Sequence, residues 1–126
     1  QVASLFTLFT HHAKTTDNLV KYMRNALIIN GNFNNERIAL EQVVDAVRFD
    51  VHMERDSKGH RYIERISEIE QISGEELYRI RDVIRFDGKK YVLAEGFSKA
   101  IIHHMSKYLN EAEVKYLYEN FYIQDK

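Results

Sequence analysis

Cysteine and proline are both absent from this 126-residue chain, and glycine occurs only five times. The missing cysteines exclude disulfides, thiolate metal sites and cysteine nucleophiles, and they fit a reducing cytosol. With no proline, punctuation falls to the glycines; Gly31, Gly59 and Gly88 stand where the hydrophobic pattern breaks and read as turns or caps. A surplus of one charge is missing too. Eighteen basic residues face nineteen acidic ones, for a formal charge of -1, so the basic footprint that neutralises phosphates is lacking and no nucleic-acid partner is expected. No apolar run approaches the ~20 residues that span a bilayer. The start, Gln1-Val2-Ala3, shows no basic region followed by an apolar stretch, so no signal peptide is expected. It also falls in mid-pattern, as in a piece of a longer protein.

What is present suits one domain. Hydrophobic residues make up 44% of the chain, with eight tyrosines and seven phenylalanines, enough for a real core. No repeat, low-complexity tract or flexible linker divides it. Residues 2–10 read as a buried strand. Thr15 or Thr16 caps a helix to about Ile29, with Leu19, Met23, Ala26 and Leu27 on the 3.6-residue period. Asn34 or Asn35 caps a second helix carrying Leu40, Val43, Val44 and Val47 on one face. Four strands follow, at about 47–55, 60–70, 77–86 and 90–94, joined by the turn signals Asp56-Ser57-Lys58-Gly59 and Asp87-Gly88. Two helices close the chain, one starting near Gly96-Phe97-Ser98 and one at Asn110, where Glu113 completes a capping box.

The first hairpin allows a register to be stated. If Arg55 pairs with His60 across a four-residue loop, Met53 faces Tyr62, Phe49 faces Ile66 and Asp50 faces Arg65. The apolar pairs then share one face and the ion pair lies on the other. A slip of one residue would destroy both matches.

Sites for chemistry are few. A phosphate cradle of the form G-x-x-x-x-G-K-[ST] needs successive backbone N–H groups and a lysine. The one Gly-Lys pair, Gly88-Lys89, is preceded by Val83 at the required glycine position and followed by Lys90. The chain therefore has no such loop, and independent ATP hydrolysis is not expected. The pairs His11-His12 and His103-His104 point their side chains apart and cannot chelate one ion as an i,i+4 pair would; a metal site would require the two pairs to meet in space, and none is assigned. Arg79, Arg81 and Arg85, at even intervals of two and four, read as one face of the third strand. That face either meets an acidic partner or is a solvated surface balanced by Glu64, Glu68, Glu70 and Asp82; the second reading is preferred. Tyr116, Tyr118, Phe121 and Tyr122 form an aromatic stripe that is either core or an interaction patch.

The order of these elements, with Thr10-His11-His12-Ala13 before the first helix and Phe49-Asp50-Val51-His52-Met53-Glu54-Arg55 after the second, resembles the C-terminal part of secretion and pilus-assembly ATPases. The resemblance is especially to the CpaF-like branch of the type II/type IV secretion superfamily, over roughly residues 5–95. Thr10-His11-His12-Ala13 is similar to that family's histidine box, T-x-H-A. The resemblance implies that Thr10 and His12 are the box threonine and histidine, and that His12 lies near the terminal phosphate of the nucleotide. A strand's C-terminal end is where open α/β sheets bind ligands. Lys21 stands where the family carries an arginine, and it keeps the charge without the bidentate fork. Gln42 matches a family position near the subunit contact. Ahead of the box, Phe6-Thr7-Leu8-Phe9 replaces the family's Gly-Ser, and residues 96–126 depart from it as a separate helical subdomain.

The resemblance implies an α/β fold, the C-terminal part of a RecA-like P-loop ATPase domain. It implies ATP and Mg²⁺ in the intact parent, with no cofactor expected for this piece alone. It also implies a hexameric ring, with dimerisation of the isolated piece as a symptom of its missing half. The parent would be cytoplasmic, seated on an inner-membrane platform protein, and would drive export or pilus assembly. The alternative from another class is a stand-alone α+β interaction module, whose apolar faces would all be satisfied within 126 residues. A histidine-based hydrolase ranks last, for want of a nucleophile and a carboxylate partner.

Overall fold

A computed structural model describes residues 10–31 and 35–124. They form a mixed α/β fold with four α-helices and one four-stranded antiparallel sheet. The helix α1 spans Thr16–Ile29 and α2 spans Glu36–Ala46. Both starts are fixed by short polar side chains on extended backbone. Thr15 accepts from the Asn18 N–H, and Asn35 accepts from the Arg37 and Ile38 N–H groups. The strand expected at 2–10 lies outside the described residues except for Thr10, which is in neither helix nor strand.

The sheet is a simple meander: β1 (Phe49–Arg55), β2 (Arg61–Gln71), β3 (Tyr78–Phe86) and β4 (Tyr91–Leu93), paired in that order. One face is covered by α1 and α2. Val20, Val43, Val44, Val47 and Ile69 are buried together there, with Met23, Leu27, Leu40, Tyr78 and Ile80 packed around them. Each buried aliphatic side chain contributes roughly 1.5–3 kcal/mol against exposure. The opposite face receives the start of α3 (Lys99–Met105), whose N-cap Ser98 donates from both its N–H and its hydroxyl to the buried Glu68 carboxylate. A short 3-10 turn leads to α4 (Glu111–Asn120), which opens on the expected Asn110/Glu113 capping box.

The register of the first hairpin differs from the expected one. Arg55 pairs with Arg61, not His60, and Asp50 pairs with Ser67, not Arg65. The Asp56 N–H donates to the His60 carbonyl, and the Asp56 carboxylate accepts from the Lys58 and His60 N–H groups. The loop is thus three residues, closed by Gly59 in the left-handed region at φ 85°. A bulge opposite His52 and Met53 adds a second slip, and two slips restore the face parity. The apolar pairs become Met53–Ile63 and Val51–Ile66.

A second bulge, where β2 meets β3 between Ile66 and Ser67, splits the three arginines. Arg79 and Arg81 share Glu70, whereas Arg85 bonds Asp82 and lines a cavity on the α1 side. The one-face expectation for Arg85 fails because the bulge resets the alternation. All three arginines are paired with acidic groups, as the solvated-face reading requires.

Gly96 holds the C-terminal helices to the sheet. It sits at φ 73° and bridges Tyr122, and the next N–H, that of Phe97, donates to the Phe121 carbonyl at 2.7 Å. A Cβ on Gly96 would meet that same oxygen at 2.7 Å, whereas one on Gly88 meets nothing within 4 Å. In urea unfolding, Gly88→Ala should lose about 1 kcal/mol from backbone strain alone, and Gly96→Ala about 2–3 kcal/mol. Equal losses at the two sites would contradict the close approach.

Candidate functional site

The segment leading into α1 is stitched to the sheet by side chains from two strands. Thr15 caps α1 and so sets Thr16 in the first turn, buried against the sheet. Asp50 of β1 lies on the helix-facing side with its side chain only 2% exposed. It accepts from the Thr16 hydroxyl at 2.7 Å and from His11 Nε2 at 2.9 Å. The Ala13 N–H donates to His11 Nδ1 at 3.1 Å. A backbone N–H can only donate, so Nδ1 is the accepting nitrogen and the ring proton sits on Nε2, aimed at the carboxylate. Arg65 adds a third stitch from β2, donating to the Lys14 carbonyl at 3.2 Å while pairing with Glu64 at 2.8 Å.

The residues singled out from sequence surround this anchor without joining it. Thr10 and His12 are exposed, on either side of the half-buried His11. Lys21 is exposed and pairs with Asp17 one turn earlier, at 2.9 Å. Gln42 is exposed on α2. The structure brings together His11, Thr16 and Asp50, none of which carried a functional assignment. An acidic residue near the start of a predicted strand was the available signal, but its partners lie 39 and 34 residues away in sequence.

Asp17 has a second partner. The Tyr78 hydroxyl donates to it, and this bond, followed by the one from Lys21, holds the Asp17 carboxyl below its ordinary range. Burial first, and then Asp17, push the Tyr78 hydroxyl well above its usual value. Lys21 is therefore engaged by the first turn of α1 as an exposed i,i+4 pair.

Beside this corner is an open cavity of about 450 Å³, lined by Thr15, Thr16, Asp17, Arg65 and Arg85 among others. Its arginines are paired with Glu64 and Asp82, so it presents no surplus positive charge to an anion. A group that could hold a metal, unforeseen from sequence, is His52, Glu54 and Glu64, with ligand atoms within 4.8 Å of one another. The signal for it was His-x-Glu on one strand face plus a carboxylate across the hairpin. A cation there would compete with the Arg65 guanidinium for Glu64. Among the described residues, no helix is long and apolar enough to cross a membrane.

The Tyr78–Asp17 bond gives a pH-dependent expectation. A carboxyl with a lowered folded pKa contributes stability that is complete above its unfolded value near 3.8 and lost as pH falls through the folded value. Tyr78→Phe should therefore cost about 1 kcal/mol at pH 7, discounted because Asp17 is 44% exposed. The gap from the parent protein should narrow toward pH ~2. Chemical unfolding across that range checks it, and a gap independent of pH would contradict the assignment.

Comparisons with protein-family models, with curated proteins and with solved structures each return no match for this chain.

Proposed function

We propose that this chain is the C-terminal part of a CpaF-like secretion or pilus-assembly ATPase, the later portion of a RecA-like P-loop domain. Its phosphate-binding half would be supplied by sequence outside these residues. In the intact parent, ATP and Mg²⁺ would bind between subunits of a hexameric ring, and hydrolysis would drive export or fibre assembly against an inner-membrane platform protein. The residues here would contribute His12 beside the terminal phosphate, with Thr10 in the same segment, and Gln42 toward a subunit contact. Lys21 takes a smaller part in this reading, because its ammonium group is already paired with Asp17.

The observation that carries the reading is the state of the Thr10-His11-His12-Ala13 segment. His11 is tied to the sheet through Asp50, while His12, the residue matching the box histidine, is exposed beside it. A group meant to meet a ligand held by another part of the protein needs this combination of anchored backbone and open side chain.

A further observation weighs against the stand-alone module. Phe49, Val51 and Met53 lie at alternate positions on β1, an edge strand among the described residues, and are 37%, 49% and 53% exposed. Tyr22 and Ile29 are exposed on α1 at 70% and 81%. An apolar strand edge of this kind is normally protected by further structure, which favours a neighbouring sheet or subunit over a stand-alone module.

In the full-length parent, His12→Ala should slow ATP turnover by about tenfold or more, ~1.4 kcal/mol of transition-state stabilisation. ATP affinity should stay within about twofold, because the phosphate loop lies elsewhere. Single-turnover hydrolysis with an independent nucleotide-binding measurement separates the two quantities. Unchanged turnover would contradict the role given to His12.

A further inference from the structure

The buried carboxylate of Asp50 has no role in the reading above, yet it is the group on which the Thr10-His11-His12-Ala13 segment hangs. We propose that Asp50 is a positioning residue for that segment, acting through His11. The inference rests on the proposed role of His12 for its functional meaning, though not for its structural content.

Three bonds fix the segment. Asp50 sits on β1 paired with Ser67, between the Phe49–Glu68 and Val51–Ile66 pairs of the ladder. Its carboxylate is therefore a fixed point. One oxygen takes the Thr16 hydroxyl, which is itself fixed by the first turn of α1. The other takes His11 Nε2. With Nε2 so oriented, the imidazole presents Nδ1 to the Ala13 N–H two residues on. The ring is thus a rigid spacer between the sheet and the backbone on the far side of His12. His12 lies between the two attachment points, so its Cα is constrained from both sides while its side chain is left exposed. Arg65, on the Lys14 carbonyl, closes the segment before α1 begins.

Two donor–acceptor requirements make this testable. The residue at 11 must donate to Asp50 and accept from Ala13. Glutamine satisfies both, with its amide nitrogen donating and its amide oxygen accepting, whereas leucine satisfies neither. Glutamine also keeps a polar side chain at this partly buried position, beside the buried Asp50 carboxylate.

The experiment uses the 126-residue chain and, in parallel, the full-length parent. In the chain, backbone ¹⁵N order parameters at His12 and Ala13 should be near the rigid value of about 0.85, and should fall below about 0.6 in His11→Leu and in Asp50→Ala. His11→Gln should restore them. Long-range ¹H–¹⁵N spectra should show the His11 proton on Nε2 in the parent sequence. In the full-length protein, His11→Leu should lower kcat about tenfold with little change in KM for ATP, and His11→Gln should recover most of that loss. Order parameters unchanged by His11→Leu, or a proton on Nδ1, would overturn the positioning role whatever the enzyme does. Order lost in His11→Leu and regained in His11→Gln, with kcat unchanged throughout, would support the positioning role and overturn the function assigned to His12.

Discussion

Two carboxylates, buried on neighbouring rungs of the β1–β2 ladder, hold the rest of the molecule to the sheet. Asp50 pairs across the ladder with Ser67, and Glu68 with Phe49, so the two acids project from opposite faces. Asp50 receives His11 and Thr16, fixing the entry to α1. Glu68 receives the N–H and hydroxyl of Ser98, fixing the entry to α3. A carboxylate withdrawn from water is tolerated only when its oxygens are hydrogen-bonded, and both acids meet that condition through groups distant in sequence. Among the described residues, no buried side-chain nitrogen or oxygen lacks a partner. Removing either acid would leave two donors unpaired, on His11 and Thr16 for Asp50 and both on Ser98 for Glu68, which is costlier than the net value of any single bond.

This arrangement explains which parts of the fold could be read from sequence. The helices were legible because their ends are marked by local chemistry: Thr15 for α1, Asn35 for α2, and Asn110 with Glu113 for α4. The strands were legible from alternation and from the glycines at 59 and 88. The registers were not. A three-residue loop and a four-residue loop at Asp56 to Gly59 have nearly the same composition, and neither bulge leaves a mark in the residues that form it. The expected Asp50–Arg65 pair fails for that reason. Arg65 turns instead to Glu64 and Lys14.

The candidate site shows the same division. Sequence reading picked out Thr10 and His12 by resemblance, and they prove to be exposed members of the segment. It missed the anchor, because His11–Asp50 and Thr16–Asp50 are contacts across 39 and 34 residues. Lys21 was chosen for its charge, and the Asp17 side chain beside it takes up that charge. On the proposed reading, the anchored and exposed histidines divide the work, His11 setting the backbone and His12 meeting the nucleotide. On the same reading, the exposed apolar stripe on β1 would face a neighbouring sheet or subunit.

The central claim is that this chain is one part of a nucleotide-driven motor. The most direct test is to read the coding sequence upstream of Gln1. The account predicts an in-frame phosphate-binding loop within about 100 residues, followed by an apolar strand ending in acidic residues. A start codon directly upstream of Gln1, with no such loop in frame, would contradict it.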